Sequence, residues 1–218
     1  MNRLQAIRAL RMLDDMGRYV FRRQHLRACF NDESEKTFAE GLARLVADGL
    51  LVRAARGVFV NAAAKSRDGW TIERVAIALR PADLSYVSLE SALSEYGIIS
   101  QIPVDRITLM TTGREGEFRT PYGVIEFVHT SRSPSDLREV TILTGRPLRL
   151  ATPDTALRDL RRVGRNLHLV DMAAYEDVRA TMRDTVAVPG TRQVKGLLAA
   201  VERAIERPED ACGDAFRM

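Results

Sequence analysis

Cationic side chains are where chemistry concentrates in this 218-residue sequence: 33 lysines and arginines stand against 29 aspartates and glutamates, and all but Lys36, Lys65 and Lys195 are arginines. Their placement is uneven. Residues 1–60 carry Arg3, Arg8, Arg11, Arg18, Arg22, Arg23, Arg27, Lys36, Arg44, Arg53 and Arg56 against Asp14, Asp15, Asp32, Glu33, Glu35, Glu40 and Asp48, an excess of four that equals the excess of the whole chain. A charge imbalance confined to one end is what a polyanion-binding segment needs, because the rest of the chain then contributes no net field. An arginine-rich genome would leave the same excess for no functional reason.

Other chemistries are poorly provided for. Cys29 and Cys212 are far apart, and His25, His129 and His168 fall in different segments, so neither a disulfide framework nor metal-ligand spacing is offered. GxxxxGK[ST], GxGxxG after a strand, HExxH and GxSxG are all absent. Gly113-Arg-Glu-Gly116 reads as a hairpin turn rather than a phosphate loop, because no helix follows it. The paired acids Asp14/Asp15, Glu176/Asp177 and Glu209/Asp210 point apart on a helix, and His129 reads as a strand-end residue. No enzyme, cofactor or metal is expected. Met1–Gly17 is too charged for a signal peptide, and no apolar run approaches the ~20 residues of a membrane span, so a cytoplasmic protein with no membrane partner is expected.

The elements that would carry the cations are legible. Leu4, Ile7, Leu10 and Leu13 mark a helix over residues 3–16 that Gly17 stops. A short second helix fits Arg22–Cys29, with Leu26 and Phe30 inward and Arg22, Arg23 and Arg27 outward. From Glu35 to Asp48, Phe38, Leu42, Leu45 and Val46 share one side of a third helix, and Lys36, Thr37, Glu40, Gly41 and Arg44 share the other. Leu50–Val60 then forms two β-prone runs around a turn flanked by arginines. Three helices and a hairpin in about sixty residues is the order of a winged helix-turn-helix. In that reading Lys36, Thr37 and Arg44 face DNA, Arg22 and Arg23 hold the backbone, and Arg53 and Arg56 reach it from the wing. Glu35 and Glu40 oppose a polyanion, although an acid there accepts from cytosine N4. Such modules also bind proteins.

The expected organisation is α+β: a winged helix-turn-helix domain over 1–61, a linker over 62–69, a larger mixed helix/sheet domain over 70–206, and a frayed tail over 207–218. In the larger domain Ile72, Val75, Ala76 and Leu79 face inward from a helix that Pro81 stops, and Ser88 caps the next helix. Strands follow at 107–110, 124–128, 140–143 and 148–150. Thr152-Pro153 opens a helix that Gly164 closes, and helical patterning returns from Leu167, including Val194–Ile205.

Several segments, in order, resemble the AbiEi family, the antitoxins of bacterial type IV toxin–antitoxin (abortive infection) systems. They are Leu45-Val-Ala-Asp-Gly-Leu-Leu-Val-Arg53 with Arg56-Gly-Val-Phe59, then Tyr86-Val-Ser88-Leu-Glu90-Ser-Ala-Leu-Ser-Glu-Tyr96-Gly97, and Ala151-Thr-Pro-Asp-Thr-Ala-Leu-Arg-Asp-Leu160. Phe59 stands where the family commonly has tyrosine, and the tail after Gly164 matches nothing in it. The resemblance implies an N-terminal domain that represses its own operon at inverted repeats and a C-terminal domain that neutralises a nucleotidyltransferase-fold toxin, directly or indirectly. Two copies on such an operator need not be a dimer in solution. Read from the residues alone, Ser88, Glu90 and Tyr96 belong to a capped helix whose aromatic packs into a core. The alternatives are a stand-alone winged-helix regulator whose second domain senses a ligand or dimerises, and an enzyme concealed in that second domain, which a bound nucleotide or metal in the purified protein would reveal.

Overall fold

The computed structural model describes residues 2–100 and 105–186, so the expected helix 194–205 and tail 207–218 lie outside the described residues. The fold is mixed α+β, with eight α-helices and two sheets among those residues. The chain divides into two compact units: Met1–Ser85 with Asp105–Ile107 and Thr111–Thr130, and Tyr86–Val104 with Thr108–Met110 and Ser131–Met218.

In the first unit, α1 (Arg3–Asp15) is capped by Asn2, whose side chain accepts from the Leu4 N–H, and Gly17 leaves it at φ +72°. A strand β1 (Val20–Arg22) follows, then α2 (Arg23–Ala28) and α3 (Glu35–Ala47). The Ser34 hydroxyl accepts from the Thr37 N–H at 3.1 Å and so starts α3. Strands β2 (Leu51–Ala55) and β3 (Val58–Asn61) pair antiparallel across Gly57 at φ +75°, and β1 lies on the far side of β3 in the order β1-β3-β2. Phe21, Leu26, Phe38, Leu42, Leu51 and Phe59 close one core with Ala6 and Leu10.

Two expected faces shift. Leu4 is 55% exposed, because a three-residue spacing drifts about 60° per step around a helix and carries Leu4 away from the core side that Ala6, Leu10 and Leu13 occupy. Gly41 is buried rather than outward.

Residues 62–69 are anchored at both ends. The Asp14 carboxylate accepts from the Lys65 and Ser66 N–H groups at 2.8 and 2.9 Å, and Asp68 accepts from the Tyr19 hydroxyl at 2.6 Å and from Arg74 at 2.6 Å. Helix α4 (Thr71–Leu79) buries Val75 and Ala76 as its apolar spacing requires, and also Glu73.

The second sheet runs β6-β7-β5-β4-β9-β8, from β4 (Ser85–Val87), β5 (Arg106–Thr111), β6 (Gly116–Thr120), β7 (Gly123–His129), β8 (Thr141–Ile142) and β9 (Arg149–Ala151). This corrects the expected hairpin at 113–116. The antiparallel pair is β6 with β7, and its tight turn lies between Thr120 and Gly123, so residues 112–115 lead from β5 to an edge strand. His129 ends β7 as expected, with Nδ1 2.8 Å from the Gly113 carbonyl. The second unit holds α5 (Leu89–Glu95), α6 (Pro134–Glu139), α7 (Pro153–Val163) and α8 (Met172–Val186). Thr152 caps α7 ahead of Pro153, and Gly164 ends it at φ +73°. No helix among the described residues is long and apolar enough to cross a membrane.

Candidate nucleic-acid interface

Helix α3 turns Phe38, Leu42 and Leu45 into the core, which leaves Lys36, Glu40 and Arg44 one above another on the open side with Ala39, Ala43 and Ala47 exposed between them. Three alanines keep this surface low, and the longer side chains of Lys36 and Arg44 extend beyond it. Thr37 is half-buried, and its hydroxyl lies 2.8 Å from that of Ser34, so it serves the helix cap. Arg53 on β2 and Arg56 beside the Gly57 turn are both exposed. Lys36, Arg44, Arg53 and Arg56 carry no ion pair among the described residues.

The arginines of α2 are placed differently. Arg23, half-buried, is ion-paired with Glu35 and stacks its guanidinium 5.1 Å from the Phe38 ring centroid. Arg27, expected outward, is half-buried on the same ring at 5.4 Å and donates to the Phe30 carbonyl and, at 2.6 Å, to that of Glu33. It fastens the turn that sets α3 against α2. Phe38 explains both positions: an aromatic face at the helix junction draws guanidinium groups inward, a pairing that helical spacing alone does not reveal. Arg22 is half-buried at the end of β1, and its N–H donates to Nδ1 of His25 at 3.3 Å. The structure thus places Lys36, Arg44, Arg53 and Arg56 as available cations, Arg23 as an engaged one, and Thr37 in a cap.

The second unit contains a buried polar network built on two of the resembling segments. Asp159 of α7 is fully buried. Its Oδ2 accepts from the Ser88 hydroxyl at 2.8 Å and the Tyr86 hydroxyl at 3.0 Å, and its Oδ1 meets Arg132 at 2.8 Å. Arg132 also donates to the Tyr86 hydroxyl. Burial, followed by the charge of Asp159, raises the Tyr86 pKa and keeps it a donor. Ser88 therefore does not cap α5 as expected; its side chain is committed to Asp159. The next residue, Leu89, is fully buried at φ +56°, a conformation costly for an apolar side chain that cannot hydrogen-bond its own backbone. Glu90 accepts from Arg165 Nε at 2.8 Å and from Asn166 Nδ2 at 2.9 Å, and Asn166 itself sits at φ +55°. Tyr96 donates to the Ala151 carbonyl at 2.8 Å, and burial raises its pKa. Among the described residues, no group of three or more His, Cys, Asp or Glu side chains is placed to hold a metal ion.

No protein-family model matches this chain, and no curated protein matches it. Among solved structures it is similar to the crystal structure of the RV2827C protein from Mycobacterium tuberculosis, with a TM-score of 0.52 and 16% identity over 91% of this chain and 72% of that one. At that identity the likeness bears on fold alone.

Proposed function

We propose that the chain is a DNA-binding autorepressor and antitoxin, with residues 1–61 acting as a winged helix-turn-helix on inverted repeats in its own promoter and the later part neutralising a nucleotidyltransferase-fold toxin. The observation that carries the DNA half is the exposed face of α3, where Lys36 and Arg44 project past a low surface of alanines, together with the exposed Arg53 and Arg56 on the β2–β3 hairpin. A helix presented in this way suits a major groove, and a basic hairpin suits the flanking phosphates. Arg22 and Arg23 belong to the expected contact set as backbone holders, Arg23 only after leaving Glu35. Thr37 acts by starting the helix that carries Lys36 and Arg44. The antitoxin half rests on the resemblance of the segments around Tyr86–Gly97 and Ala151–Leu160 to the AbiEi family.

The test is a mobility shift of the full chain on DNA from upstream of its own gene against unrelated DNA, at two salt concentrations, with toxicity rescue scored in parallel. Preferential, salt-sensitive binding is expected. Lys36→Ala with Arg44→Ala should weaken it and leave rescue largely intact. Equal loss of both activities contradicts the division of labour, and operator binding with no toxin rescued favours a stand-alone regulator.

A further inference from the structure

The first unit contains a cleft of about 210 Å³ whose two sides differ in chemistry. It arises from the way β1 leaves α1. Gly17 turns the chain at φ +72°, Arg18 follows, and Phe21 then enters the core, so Val20 and Arg22 fall on the opposite face of the strand. That face forms the polar side with His25 of α2. The other side comes from α4 and the residues after it, where Ile77 stays 39% exposed and Pro81 adds apolar surface.

The charges on the polar side are uncompensated. Arg74 also reaches the cleft, but it is committed to Asp68 at 2.6 Å. Arg18 and Arg22 carry no ion pair among the described residues, and no carboxylate lines the cleft. His25 Nδ1 accepts the Arg22 N–H, so in the neutral ring Nε2 is a donor. Burial and then the charges of Arg18 and Arg22 lower the His25 pKa, which favours the neutral ring with its Nε2 donor.

We propose that this cleft binds a small organic phosphate, with the phosphate held by Arg18, Arg22 and His25 and the apolar body of the ligand laid against Ile77 and Pro81. Two guanidinium groups match the double charge of a phosphate monoester, and their forked N–H groups together with the imidazole N–H match its three free oxygens. A backbone phosphate of DNA has no apolar body to cover Ile77. The volume lies below the ~300 Å³ of pockets for drug-sized ligands, which leaves room for a phosphate and one small ring.

The site goes beyond the proposed DNA contacts. Arg22 belongs to both sets, so the decisive variants are Arg18→Gln and Ile77→Ser, which the DNA reading does not use. The experiment is calorimetric titration of the full chain with phenyl phosphate, and with inorganic phosphate and phenol in parallel, without DNA. Phenyl phosphate should bind at one site per chain, more tightly than inorganic phosphate, and phenol should not bind. Arg18→Gln should weaken phenyl phosphate about tenfold, the loss of one charge-assisted contact. Ile77→Ser should weaken phenyl phosphate while leaving inorganic phosphate unchanged. Both substitutions alter exposed side chains, and thermal melts would confirm that the variants fold. The proposal is overturned by absence of phenyl phosphate binding at millimolar concentration, by binding that Arg18→Gln leaves unaltered, or by equal affinity for phenyl and inorganic phosphate.

Discussion

Changing Lys36, Arg44, Arg53 and Arg56 to alanine probes the proposed interface where its charges are available. Each is exposed and unpaired among the described residues, so under the proposal each would meet a phosphate without first breaking an internal bond. Counterion release contributes about 0.9 to the slope of log Kobs against log salt per neutralised phosphate, so four contacts per bound chain give a slope of about −3.6. A fourfold rise in salt then weakens binding by roughly two orders of magnitude. Lys36→Ala with Arg44→Ala should reduce the slope to about −1.8 and the same salt loss to roughly tenfold. Arg23→Ala should behave otherwise, because that guanidinium is already neutralised by Glu35 and seated on Phe38. Its slope should stay within about half a unit of the parent, while the fold loses about 1 kcal/mol of cation–π contact. Fluorescence anisotropy of a labelled operator duplex over a salt series measures all of these slopes. The proposed interface is refuted if Arg23→Ala flattens the slope as far as the Lys36/Arg44 double variant, or if the fourfold variant keeps the parental slope.

Four further substitutions probe the packing and the ion pairs. Asp159→Asn leaves Arg132 charged and largely buried, and should cost about 3 kcal/mol; Ser88→Ala, which removes one of the donors to Asp159, should cost about 1 kcal/mol, both read as urea midpoints at constant m. Gly57→Ala has open space for its methyl but φ +75° to adopt, so it should destabilise the hairpin by about 1 kcal/mol in a thermal melt. The Arg74 hydrogen bond, outweighing the burial that opposes it and aided by Tyr19, holds the Asp68 pKa at about 2. A depressed carboxylate stabilises the fold above its unfolded value near 4 and loses that contribution as pH falls towards 2, so Asp68→Asn should flatten the acid limb of stability across that interval.

Local signals carried the element order well where a cap or a stop was written into the chain. Ser34, Gly17, Thr152-Pro153 and Gly164 each did what its residue type dictates. The elements that such signals do not announce are short or depend on partners. Strand β1 is three residues long, and β6, with Gly116, Glu117 and Arg119, has no apolar alternation, because only its pairing with β7 makes it a strand. Helix α6 was legible in principle: Ser133, Pro134 and Asp136 supply the cap, the first-turn proline and a returning carboxylate. Among the candidate site residues, helical spacing placed Lys36 and Arg44 outward. It misplaced Arg23 and Arg27 as outward, because the Phe38 ring that draws them inward lies on another helix, and it read Ser88 as a cap, because its partner lies 71 residues away.

That distant partnership joins two of the resembling segments. Ser88 and Tyr86 stand in one resembling segment and Asp159 in the other, and the three meet through hydrogen bonds inside the second unit. Two stretches remote in sequence are thus one physical device, a buried carboxylate with donors from another element. A network of this kind specifies which elements pack together, because any other pairing strands the charge of Asp159. Leu89 fits the same account: the backbone between Ser88 and Glu90 is held at positive φ while Ser88 binds Asp159 on one side and Glu90 binds Arg165 and Asn166 on the other. Ser88, Glu90 and Asp159 are all buried, so none presents a surface to a toxin. If the chain is an antitoxin as proposed, substituting them should therefore abolish antitoxicity only together with stability, whereas a true contact residue, found among exposed positions, should abolish rescue and leave the melting curve unchanged.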